Sequence, residues 1–116
     1  MKATIYHNPR CSKSRQTLAL LEEKGVDLEI IEYLKTPPDK KTLKGILKKL
    51  DIEAAGLIRK NESVFSEMQL GDKLDNANAL LDAMVHNPIL IERPIVLANN
   101  KAAIGRPPEA VLDILK

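Results

Sequence analysis

The chain has 116 residues, of which 44% are hydrophobic and 29% are charged, and its formal net charge is +2. These values are typical of a globular protein with one modest core, so we expect a single domain over residues 1–116. The charge is too small to indicate binding to nucleic acid or to a membrane surface, and the apolar runs are too short for a membrane span. With one cysteine and no apolar leader, the sequence predicts a cytoplasmic protein without an internal disulfide.

The first third of the chain predicts a β-α-β unit. Residues 3–6 and 28–33 are rich in β-branched and apolar side chains and indicate two strands. Between them, residues 14–24 predict an amphipathic helix that Gly25 ends. A strand, a helix and a second strand in this order favour two parallel strands with a right-handed crossover.

The middle of the chain, about residues 39–87, predicts a helical region. Residues 43–50 carry apolar side chains at helical spacing, and most of the remaining positions there are lysines, which favours a solvated face over a binding patch. Residues 54–60 and 63–69 predict two short helices, and Asp75 is the expected N-cap of a further helix.

The last section predicts two strands and a helix. Residues 95–97 and 102–104 read as antiparallel strands, and Asn99-Asn100 between them is a hairpin-turn signal. The proline pair at 107–108 is expected to begin a final helix. The order β-α-β, helical insertion, β-β-α resembles the thioredoxin fold, an α/β fold with a mixed sheet.

Cys11 is the candidate reactive residue, because it lies between the first strand and the first helix. Unpaired N–H groups and the positive end of the helix dipole favour a thiolate or a bound oxyanion at such a place. Arg10, Lys13 and Arg15 add positive charge, as would a protonated His7. The alternative is an inert buried thiol, against which the flanking charges argue.

Five motifs, in order, resemble the glutaredoxin-dependent arsenate reductase family. They are residues 7–15 (His-Asn-Pro-Arg-Cys-Ser-Lys-Ser-Arg), 33–38, 57–61, 86–96 and 105–107. The resemblance covers nearly the whole chain and implies an enzyme that reduces arsenate to arsenite. In thioredoxin-like folds a cis proline precedes the third strand and faces the reactive cysteine, so we expect a cis Arg93–Pro94 bond.

The resemblance also implies which residues bind the substrate. In that family a cysteine attacks arsenate and three arginines hold the oxyanion, which by motif are Cys11 and Arg59, Arg93 and Arg106. Guanidinium groups offer fixed, bidentate donors that keep their charge near neutral pH. We therefore expect the three arginine side chains to converge on Cys11.

Two further site residues and the reductants follow from the same resemblance. His7 would lower the pKa of Cys11, and Ser14 would donate a hydrogen bond to its sulfur, although helix capping is an equal alternative for Ser14. No bound cofactor or metal is expected. Because one cysteine cannot complete the cycle, glutathione would serve as co-substrate and glutaredoxin as the partner that removes it from Cys11.

The residues of the cysteine loop also bear on other function classes. Thr17 stands where a tyrosine-phosphatase-type site needs arginine, and Ser14 where a dithiol oxidoreductase needs its second cysteine. A thiol-transfer protein of the glutaredoxin kind stays open, although it has no need of three arginines. So does a transcription regulator that binds RNA polymerase, although its usual Cys-x-x-Cys switch is missing.

Overall fold

The computed structural model describes residues 1–115, and it contains a four-stranded mixed sheet. The strand order is β2-β1-β3-β4. Strand β1 pairs parallel with β2 and antiparallel with β3, which in turn pairs antiparallel with β4. The strands are β1 (Lys2–His7), β2 (Asp27–Glu32), β3 (Ile95–Ala98) and β4 (Lys101–Ile104). This topology confirms the predicted α/β fold with a mixed sheet.

The α-helices occur where the sequence predicts helices, with differences at their ends. The α-helices are α1 (Ser12–Glu23), α2 (Lys40–Leu50), α3 (Ala54–Leu57), α4 (Ser63–Glu67) and α5 (Ala77–His86). Short 3₁₀ helices cover Leu70–Lys73, Pro88–Leu90 and Pro108–Leu115. Among residues 1–115, none of the helices is both long and apolar enough to cross a membrane.

The chain divides into two compact units. A sheet unit contains Met1–Thr36 and the chain from Arg93 onward, and a helical unit contains Pro37–Glu92. The helical unit corresponds to the region predicted at about 39–87 and extends slightly beyond it at both ends.

The core of the sheet unit lies on one face of the sheet, under α1 and the C-terminal 3₁₀ helix. Alternate positions of β1 and β3 point to this face, because successive side chains of a strand point to opposite sides. The buried cluster contains Ala3, Ile5, Leu21, Val96, Ala98, Val111 and Ile114. Burying one large aliphatic side chain of this kind stabilises the fold by about 1.5–3 kcal/mol.

The helical unit differs from the prediction at two helix ends. Asn76, and not Asp75, caps α5, because its side chain accepts a hydrogen bond from the N–H of Ala79. Helix α3 stops at Leu57 and does not reach residue 60, because Ile58 forms a β-bridge with Ile91. Tertiary pairing thus overrides the local helical pattern there.

Backbone geometry confirms two turn predictions and one predicted cis bond, and it changes one helix. Gly25 has φ +72° after α1, and Asn99 and Asn100 have φ 52° and 63° in the β3–β4 hairpin. The Arg93–Pro94 bond is cis, as expected, and Arg106–Pro107 is a second cis bond that the sequence reasoning did not anticipate. The final helix begins at Pro108 and is 3₁₀, not α.

We expect the Gly105→Ala substitution to destabilise the protein. A Cβ at this buried glycine would overlap the hydroxyl of Thr17 and lie 2.8 Å from Cγ of Pro94. Overpacking of this kind costs about 1–3 kcal/mol. Urea unfolding measures the loss as a lower midpoint at an unchanged slope.

Gly45→Ala is the matched control. Gly45 is exposed inside α2, and a Cβ there meets nothing within 4 Å. The higher helix propensity of alanine should stabilise the protein by about 0.5–1 kcal/mol. Equal midpoints for the two variants would contradict the close packing inferred at Gly105.

Candidate active site

The loop between β1 and α1 is shaped by Asn8. Its carbonyl oxygen accepts from the N–H of Cys11 at 3.0 Å, and its side-chain oxygen accepts from the N–H of Arg10 at 3.0 Å. Asn8 is itself buried. The sequence reasoning gave Asn8 no role. An asparagine in a loop commonly forms an Asx turn, in which its side-chain oxygen accepts a hydrogen bond from the backbone N–H two residues later.

Cys11 is the N-cap of α1, one position before the first helical residue. Its backbone is extended, with φ −92° and ψ 123°, and the side chain is partly exposed. The N–H groups of Lys13 and Ser14, in the first turn, point toward the sulfur and lower the pKa of Cys11. Neither forms a capping hydrogen bond with the side chain of Cys11. Such N–H groups lack partners within the helix and carry partial positive charge, which favours a thiolate.

The sheet register brings Arg93 and Arg106 to the same place. Ile95 pairs with Ile104 at the end of the β3–β4 ladder, and the N–H of Gly105 continues the ladder by donating to Pro94 at 2.9 Å. One step further, Nε of Arg106 donates to the carbonyl oxygen of Arg93 at 2.8 Å. The two arginines are thus adjacent although they are thirteen positions apart in the sequence.

Both of these guanidinium groups contact the cysteine. Nη2 of Arg106 lies 3.5 Å from Sγ of Cys11. Arg93 interacts with the same sulfur through a side-chain hydrogen bond and through its charge. The structure therefore brings two of the three predicted arginines to the sulfur of Cys11.

The pKa of Cys11 lies below its ordinary value. Burial of the thiol is the largest single influence and raises the pKa, but several stabilising contacts together outweigh it. These are the N–H of Ser14, the hydrogen bond and charge of Arg93, and the N–H of Lys13. A depressed pKa increases the thiolate fraction at neutral pH, and the thiolate is the nucleophilic form.

His7 and Ser14 form a buried pair behind the loop. Nδ1 of His7 and Oγ of Ser14 are 2.6 Å apart, and the same Oγ accepts from the N–H of Asn8 at 3.0 Å. Within residues 1–115 the hydroxyl of Ser14 therefore bonds to His7 and Asn8, and not to the sulfur as expected from the resemblance. Ser14 acts on Cys11 through its backbone N–H instead.

His7 does not carry the positive charge that the sequence allowed for it. Burial lowers its pKa, Arg15 lowers it further, and Glu32 opposes them only in part. A neutral imidazole is the form that a buried site favours. His7 is therefore not a cation that stabilises the thiolate. It contributes to the site by holding the side chain of Ser14.

Arg59 belongs to the helical unit and is held there by two carboxylates. Its Nη1 lies 2.6 Å from Oε1 of Glu92, and its Nε lies 3.5 Å from Oε1 of Glu62. Its backbone N–H donates to Leu90 at 2.7 Å. These contacts offset its charge, so the expected role of Arg59 in binding substrate stays a prediction.

Over the part of the chain that the structure describes, no group of three or more histidine, cysteine, aspartate or glutamate side chains is arranged to hold a metal ion. The chemistry available at Cys11 is that of a nucleophilic sulfur beside fixed cations.

The fold and the site together define the class of protein: a thioredoxin-like domain with one activated cysteine and two arginines on its sulfur. Comparisons with known proteins agree. The profile of the ArsC family matches residues 6–114. The chain belongs to the ArsC family.

Individual relatives are similar over almost the full chain. The uncharacterized protein YfgD of Escherichia coli strain K12 is 55% identical, with 96% of this chain and 94% of the relative covered. An arsenate reductase of Neisseria meningitidis serogroup B is 51% identical, with 96% of each chain covered. The solved structure of an arsenate reductase from Vibrio cholerae has 48% identity and a TM-score of 0.95, with 98% of each chain covered.

We expect Arg93→Gln to raise the pKa of Cys11. The change removes a charge and a hydrogen bond that favour the thiolate, while burial continues to oppose it. The measurement is the rate of iodoacetamide alkylation against pH, which reports Cys11 alone because the chain has one cysteine. The midpoint should move to higher pH in the variant, and an unchanged midpoint relative to Lys24→Gln would contradict the assignment.

We expect Ser14→Ala to reduce stability more than it changes the thiol. The variant leaves the N–H of Asn8 and Nδ1 of His7 without their buried partner, which costs about 1–3 kcal/mol. The backbone N–H that acts on Cys11 is retained. Ser12→Ala, at an exposed position of the same turn, should stay within about 0.5 kcal/mol in urea unfolding.

Proposed function

We propose that this protein reduces arsenate to arsenite with Cys11 as nucleophile, glutathione as co-substrate and glutaredoxin as the regenerating partner. The observation that carries the proposal is the cysteine sulfur with Arg93 and Arg106 beside it and first-turn N–H groups around it. Arrangements of this kind bind a tetrahedral oxyanion and activate a thiolate. The names of the relatives from N. meningitidis and V. cholerae support arsenate as the substrate.

The first step is attack of the thiolate on arsenic. A sulfur–arsenic bond forms, and one arsenate oxygen leaves as water after protonation. Arg93 and Arg106 neutralise the charge of the remaining oxygens, and their planar groups hold the oxyanion against the sulfur. Arg59 is included as a third oxyanion ligand on the family resemblance alone.

The second step needs an external thiol. The thiolate of glutathione attacks the sulfur of Cys11, a disulfide forms, and the electron pair of the sulfur–arsenic bond passes to arsenic, which leaves as arsenite. Glutaredoxin then takes the glutathionyl group by thiol exchange and restores the Cys11 thiol. The two thiols supply the two electrons that arsenate gains. Because glutathione is held reduced in the cytoplasm, we expect the protein to act there.

The test is arsenate-dependent consumption of NADPH in the presence of glutathione, glutaredoxin and glutathione reductase. Cys11→Ser should abolish it, and so should omission of glutathione and glutaredoxin when no other thiol is supplied. Arg93→Lys and Arg106→Lys should each lower kcat/KM by about tenfold to a hundredfold, because ammonium lacks the bidentate fork and a charge-assisted bond is worth about 1.5–3 kcal/mol.

Lys24→Gln is the matched control, because it removes one exposed cation at the C-terminal end of α1. It should retain the activity of the unmodified chain. One outcome would contradict this proposal: Cys11 exchanges with glutathione disulfide, but arsenate has no effect on NADPH consumption. The thiol-transfer alternative would then replace it.

A further inference from the structure

Two cations beside Cys11 are left over after the oxyanion site is accounted for. Arg10 directly precedes the cysteine, Lys13 lies in the first turn of α1, and both side chains are exposed. We propose that this pair, the cationic rim, selects anionic thiols such as glutathione as the reactants of Cys11. The inference rests on the proposed function, because it concerns the thiol that releases the product.

The cationic rim does not stabilise the fold through polar side-chain contacts among residues 1–115. The side chains of Arg10 and Lys13 take part in no ion pair or hydrogen bond there. The neighbouring Arg15 differs, because its Nη1 donates a hydrogen bond to the carbonyl oxygen of Pro9 at 2.9 Å. Two charges next to a reactive sulfur, with no role in holding the loop, remain available to a ligand.

The local charge is not offset by acidic residues in the same turn of the helix. The first turn of α1 contains no acidic side chain. On the neighbouring strand β2, Glu32 is engaged with Lys35 at 3.5 Å and acts on His7. Attraction between exposed charges extends over about 10 Å at 0.1 M salt, which covers the reach of both rim side chains.

A ligand larger than the oxyanion is needed to use the cationic rim. Arg93 and Arg106 already contact the sulfur, so in the proposed reaction they hold the small oxyanion that reacts there. The thiol that attacks Cys11 brings atoms several bonds away from its own sulfur. Glutathione carries two carboxylates and one ammonium group, a net negative charge, and its carboxylates lie on arms on both sides of the thiol.

The experiment measures exchange of the Cys11 thiolate with three disulfides of different charge. The probes are glutathione disulfide (anionic), hydroxyethyl disulfide (neutral) and cystamine (cationic). In each reaction the sulfur of Cys11 bonds to one sulfur of the probe, and the other leaves as a thiolate. Mass spectrometry under pseudo-first-order conditions gives three second-order rate constants, and the unmodified chain should react fastest with the anionic probe and slowest with the cationic one.

The double variant Arg10→Gln/Lys13→Gln tests the cationic rim. The ratio of the anionic to the neutral rate constant should fall by about threefold to tenfold, because each exposed pair of charges is worth about 0.2–1 kcal/mol. The ratio for the unmodified chain should also fall at high salt. A change in the pKa of Cys11 would affect all three rate constants alike, so its effect cancels in the ratio.

Lys24→Gln is again the matched control, since Lys24 is separated from the active loop by the 12 residues of α1, about 18 Å of helix. It should leave the ratio unchanged. An equal ratio in the double variant and the unmodified chain, or an equal fall in all three rate constants, would overturn the inference. Because the exchange needs no arsenate, a failure of arsenate reduction with the charge preference intact would overturn only the proposed function.

Discussion

The backbone hydrogen bond from Gly105 to Pro94, at 2.9 Å, carries the β3–β4 ladder past its last strand pair. The placement of the two arginines at the site follows from this continuation. It sets Arg106 against the carbonyl of Arg93, and it requires a residue without a Cβ, because Thr17 and Pro94 occupy the space that a side chain would need. The sheet thus determines where the two guanidinium groups are, and the loop after β1 supplies the sulfur that both contact.

The thiolate is stabilised by a balance of opposed influences. Partial burial of Cys11 raises its pKa, and this alone would lower the thiolate fraction. Fixed dipoles and one charge reverse the outcome: the N–H groups of Ser14 and Lys13 at the start of α1 and the guanidinium of Arg93. Because these donors are held by the helix and by the sheet, they need no rearrangement when negative charge develops.

The buried pair of His7 and Ser14 shows how a polar side chain can support a site without touching its reactive atom. Both side chains are removed from water, and each satisfies the other at 2.6 Å. Together with the hydrogen bond from Asn8 they tie the end of β1 to the first turn of α1. The loop that carries Cys11 is therefore held at both of its ends.

The sequence by itself determined the order of elements, the turns at Gly25 and Asn99-Asn100, and the cysteine at a helix start, because these depend on local spacing and backbone preference. Only the tertiary structure decided which groups meet. The strand register paired Arg93 with Arg106, a β-bridge at Ile58 ended α3 early, and burial neutralised His7 and directed Ser14 toward it. Such outcomes depend on contacts between distant residues, which no local pattern encodes.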